Sequence, residues 1–71
     1  MTTFQDAAGQ DAIEYLEAYA LPYLDAVQTA VNAGDSPDVI YRKVLREVGE
    51  HRAPLALRCK QAAAVLVKGQ E

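Results

Sequence analysis

The chain reads as all-α: a small three-helix bundle, or a proline-kinked helical hairpin, with antiparallel neighbours. Three observations carry that reading. Apolar residues recur at helical spacing along most of the 71 positions. No run alternates with the period of two that a half-buried strand needs, and alanine is too frequent for strands. Finally, "NAGDSPD", residues 32–38, contains both a helix end and a helix start.

The first helix is expected over residues 4–33. Its polar positions Asp6, Gln10, Glu14, Glu17, Asp25, Gln28 and Asn32 follow in steps that keep one face, with Leu21 the one interruption. Ile13, Leu16, Ala20, Leu24, Val27 and Val31 form one apolar flank. Ala8, Ala12, Tyr15, Tyr19, Ala26 and Ala30 form a second, with Tyr23 between them. A helix that is apolar on two flanks calls for more than one neighbour.

Pro22 falls inside this segment, where an interior proline loses a hydrogen bond and costs about 3 kcal/mol or more. A new helix starting at Pro22 would want a capping Ser, Thr, Asp or Asn at position 21, and the residue is Leu21. The polar series also keeps its phase from Glu17 to Asp25. A kinked but continuous helix is therefore the expectation, with the Ala18 carbonyl freed to meet water or a neighbouring donor.

At the turn, Gly34 suits the left-handed conformation that closes a helix. Ser36 is placed to cap the next one, Pro37 to occupy its first position and Asp38 to face its positive end. The second helix, residues 37–49, turns Ile40, Tyr41, Val44, Leu45 and Val48 inward and Arg42, Lys43, Arg46, Glu47 and Glu50 outward. A connection this short makes it antiparallel to the first. Gly49 can end it, "GEHRA" is a plausible short loop, and a third helix over residues 54–68 aligns Leu55, Cys59, Ala62 and Leu66. The alternative is one long kinked arm through Pro54. That hairpin leaves a bare flank on each arm and would have to dimerise into a four-helix bundle.

One small domain, residues 1–71, is what this length permits. Such a chain buries only about 60% of its unfolded surface, so it leans on oligomerisation, a metal, disulfides or regular packing. Cys59 and His51 are single, which excludes an intrachain disulfide and a four-ligand zinc site; no metal or cofactor is expected. No basic region followed by an apolar run opens the chain, and no stretch of about 20 apolar residues occurs. A cytoplasmic protein with no membrane segment is the expectation.

Charge is uneven. Residues 1–38 hold seven acids and no Lys or Arg, and residues 39–71 hold seven bases against three acids. The simplest reading is two oppositely charged arms folded on each other; the same asymmetry also suits a nucleic-acid surface. Among the bases, Arg42, Lys43, Arg46 and Arg52 are the candidate contacts to phosphate or to an acidic partner. A helix-turn-helix over residues 41–60 matches weakly, because Leu45 stands where a small residue packs and Glu50 and Arg58 where apolar residues belong.

Catalytic chemistry finds little to work with. There is no glycine-rich phosphate loop, and Ser36, the one serine, is a cap. Cys59 lies in an apolar row where a thiol acts as a small hydrophobe. No enzyme activity is expected. Tyr15, Tyr19 and Tyr23 recur at four-residue steps, with Tyr41 on the next helix. A ring with a polar tip suits either a core edge between the first two helices or an interface. With Leu21, these four tyrosines are the expected partner-binding residues. The functional expectation is a protein–protein interaction module, a small adaptor or regulator binding a protein partner or itself, with a homodimer the favoured form. Two alternatives stand beside it: a nucleic-acid-associated regulator using the basic half, or an inhibitor whose acidic helix, with Glu14 and Glu17, imitates a nucleic-acid backbone.

Overall fold

Ala20 leaves the helical conformation, with φ −150° and ψ 48°, and divides the segment expected to run unbroken through Pro22. A computed structural model describes the backbone of residues 4–70 and the side chains of residues 7–69. In it α1 spans Phe4–Tyr19, α2 Leu21–Asn32, α3 Pro37–Val48 and α4 Ala53–Gln70, with a single 3₁₀ turn at Glu50–Arg52 before α4. The described residues are all-helical and contain no strand. Their Cα radius of gyration, 11.1 Å, is that of a compact chain of this length, about 11 Å.

The expected kinked continuous helix over 4–33 is thus corrected to two helices, for a reason local to Ala20. Its N–H still donates to the Leu16 carbonyl at 2.9 Å, closing α1. Its carbonyl accepts from Tyr23 at 2.9 Å and from Leu24 at 3.3 Å, opening α2. No side chain caps α2, and little capping is required. Pro22 lies in the first turn, where helix N–H groups have no partner, and it has no N–H to leave unpaired. Proline here does part of the work of a cap. The chain also reverses at this point. Gln10 and Gln28 line one groove, whereas a continuous helix would hold them about 27 Å apart at 1.5 Å per residue.

The second turn follows the expectation closely. Gly34 adopts φ 95°. Its N–H donates to the Val31 carbonyl, and that of Asp35 to the Ala30 carbonyl, both at 3.0 Å, the paired bonds of a Schellman closure. Ser36 Oγ accepts from the Val39 N–H at 3.3 Å, and Pro37 opens α3. Gly49, at φ 85°, ends α3 and donates to the Leu45 carbonyl at 2.8 Å. Pro54 then falls in the first turn of α4, so it marks a helix start and kinks nothing.

α4 is the element that all the others pack on; α1 and α3 share no contact. The buried core draws Ala12 and Leu16 from α1, Leu24, Val27 and Val31 from α2, and Ile40 and Val44 from α3. α4 contributes Leu55, Ala56, Cys59, Ala62 and Ala63. Ile13, Ala20, Tyr23, Ala30, Tyr41, Leu45, Val48 and Leu66 pack at its margin. α1 and α4 run antiparallel: Gly9 lies against Gln61 and Val65, and Tyr15 against Arg58. Gly9 itself is buried, and a Cβ there would overlap Val65 of α4.

Candidate functional site

The tyrosines expected to form one seam separate into two groups. A seam between the helix carrying Tyr15 and Tyr19 and the helix carrying Tyr41 cannot form, because α1 and α3 do not touch. Tyr23 and Tyr41 are half-buried against the core, and the Lys60 ammonium lies 5.6 Å from the Tyr41 ring centre. Tyr15 and Tyr19 instead open to solvent on α1 (37% and 79% exposed). Their rings are 5.2 Å apart and tilted by 45°, within the range of favourable aromatic pairs. The Arg58 guanidinium stacks 3.9 Å above the Tyr15 ring, fixing that ring's position.

Leu21, which interrupts the polar face in sequence, is 52% exposed as the first residue of α2. Tyr19 and Leu21 therefore flank the reversal at Ala20. Leu57, not among the expected residues, is 47% exposed. It sits in the first turns of α4, at the end of the antiparallel α1–α4 pair where Tyr15 meets Arg58. Its signal was in the sequence, since it falls out of phase with the buried row Leu55, Cys59 and Ala62.

Two ion pairs join the acidic and basic halves. Lys43 pairs with Asp35 at 2.9 Å and Lys60 with Asp38 at 3.2 Å. Both acids belong to the 35–38 turn region, not to the faces of α1 and α2. Both pairs are exposed, where such bridges contribute about 0–1 kcal/mol. Asp11, Glu14, Glu17 and Asp25 are exposed and enter no ion pair among the described residues. The two ion pairs join the acidic half to the basic half, as the two-arm reading has it, and leave these four carboxylates outside them. Arg42, Arg46 and Arg52 are exposed as well, while Lys43 is held by Asp35.

Cys59 is fully buried in the core, and that burial pushes its thiol up to about 11 from the usual 9.0. It is held as a neutral thiol, while His51 is exposed on the 3₁₀ turn with its ring packed beside Gly49. Nucleophilic chemistry requires an accessible thiolate. Among the described residues, no group of three or more His, Cys, Asp or Glu is placed to hold a metal ion. No described helix is long and apolar enough to cross a membrane. No protein-family model matches the chain, and comparison with curated proteins and with solved structures finds no match.

Proposed function

We propose that this helical bundle is a non-enzymatic protein-binding module, and that its contact surface is the corner where α1 turns into α2. The observation that carries the reading is the exposure of Tyr19 and Leu21 on either side of Ala20, with Tyr15 and Leu57 at the same end. A single exposed Leu needs no explanation, but several large apolar groups gathered at one end of a small protein do. Tyrosine is favoured at contact hot spots because it combines a broad apolar ring with a hydrogen-bonding tip and few rotamers to freeze. Arg58 pre-orders the Tyr15 ring, which lowers the entropy lost on binding. Tyr23 and Tyr41, half-buried at the core margin, stand apart from this surface.

The partner is a protein, either a second copy of the chain or another polypeptide. A photoreactive phenylalanine analogue placed at position 19 should yield a covalent product, a homodimer or a partner adduct, that Leu21→Ser removes. Light scattering at micromolar and millimolar concentrations distinguishes self-association from partner binding. A strict monomer that forms no adduct on illumination would defeat the reading. A nucleic-acid role for Arg42, Arg46 and Arg52 is supported only by their exposure. Lys43 and Lys60 are occupied by Asp35 and Asp38, which shrinks the available footprint.

A further inference from the structure

The chain reversal at Ala20 has a second consequence, at the end of α1 and α2 remote from the tyrosines. It brings Gln10 of α1 and Gln28 and Asn32 of α2 to line one groove with α4. The result is a groove of about 460 Å³, within the roughly 300–1,000 Å³ range of small-molecule sites. Its rim carries three carboxamides: Gln10 from α1, and Gln28 and Asn32 from α2. Its apolar lining is Ile13, Val31, Val65 and Leu66. Among the described residues, no charged side chain lines it. Gly69 completes it from α4, and nothing lies within 4 Å of where a Cβ would stand there, so the groove is open on that side.

This donor set selects a chemical class. A carboxamide presents donors and an acceptor together, so Gln10 and Gln28 suit an edge that offers the same pair in reverse. An ionic ligand would surrender hydration in a groove whose described lining supplies no counter-charge. A pure hydrocarbon would cover the amides without replacing their bonds to water. We infer that the groove between α1, α2 and α4 binds a small uncharged molecule with an apolar body and one amide-like edge. The site shares no residue with the Tyr15–Tyr19–Leu21 corner, and its test is independent of the protein-binding reading.

Benzamide is the probe, with benzoate as its charged counterpart and toluene as the ring without the edge. Titrated into the ¹⁵N-labelled full chain and followed by NMR, benzamide should shift the side-chain NH₂ signals of Gln10 and Gln28. It should saturate in the millimolar range. Benzoate and toluene should bind at least about fivefold more weakly, the worth of one or two exposed hydrogen bonds. The double variant Gln10→Leu with Gln28→Leu should bring benzamide down to the level of toluene. Gly69→Leu, which projects a side chain into open space, should abolish binding of all three while the circular dichroism stays unchanged. Equal responses to the three probes, shifts confined to other residues, no shift at all, or full binding by Gly69→Leu would each overturn the assignment.

Discussion

Gly9→Ala sets two known effects against each other, and the α1–α4 contact decides the sign. Gly9 lies inside α1, where glycine is worse than alanine by about 0.8–1 kcal/mol. By propensity alone the substitution should stabilise. A Cβ at this position, however, would stand 2.9 Å from the Gln61 carbonyl oxygen and overlap the Val65 Cγ2 methyl. Val65 can turn away at a cost of about 0.5–1.5 kcal/mol if it leaves its rotamer well. The carbonyl belongs to the α4 backbone and can yield only if the helices part. Overpacking of this kind costs about 1–3 kcal/mol, and separating α1 from α4 also loosens Ala12 and Leu16 in the core. The expected net loss is about 1–2 kcal/mol. For a domain of this size, each kcal/mol lowers the melting temperature by about 4–8 °C. Urea and thermal melts followed by circular dichroism at 222 nm measure it. Gly69→Ala, in open space at the end of α4, is the control and should be neutral or gain up to about 0.5 kcal/mol, less than the interior value because the last turn frays. A Gly9→Ala protein as stable as the parent or more so would refute the close approach of α1 to α4.

Further outcomes follow from the same geometry. Pro22→Ala restores an N–H at a position without an acceptor and makes one helix over 4–32 accessible. It should destabilise the monomer by about 1 kcal/mol and produce a dimer in which α1 packs on the partner's α4, seen by size-exclusion chromatography; a protein that stays monomeric argues against this account of the corner. Gly34→Ala should cost about 1–2 kcal/mol in a urea melt, because φ 95° is strained for any side chain, whereas Ser36→Ala should cost about 0.5–1 kcal/mol through its single long capping bond. Because the folded-state pKa of Cys59 is raised, its contribution to stability is complete below pH 9.0 and lost as the pH climbs toward about 11. Cys59→Ala should flatten that part of the stability–pH curve, and the native thiol should resist iodoacetamide at pH 8 until urea is added. Tyr19→Ser with Leu21→Ser should leave the melting temperature within about 3 °C of the parent, as exposed substitutions usually change stability by no more than about 0.5 kcal/mol. A larger fall would mean these side chains support the fold and are not a free surface.

The amino-acid sequence by itself determined the helical class, the helix end and start around residues 33–36 and most of the core. Those features depend on local chemistry and periodicity: a left-handed glycine, a serine cap, a proline at the first helical position, and apolar residues three and four apart. Ile40 and Val44, or Leu55, Cys59 and Ala62, point inward because any helix through them must bury that stripe. Pro22 was different in kind. Kinked helix and broken helix both satisfy the residues around it, and the absence of a capping side chain favoured the kink. The choice fell to the packing on α4: α1 and α2 both lie against it, which requires the chain to reverse between them. From that single decision follow the exposure of Tyr19 and Leu21, the parting of Tyr15 from Tyr41 and the placing of Gln10 and Gln28 on one groove. The close contact at Gly9 depends equally on a neighbour more than fifty residues away. Tertiary structure alone decided these, since a surface made from two segments exists only once a third has packed between them.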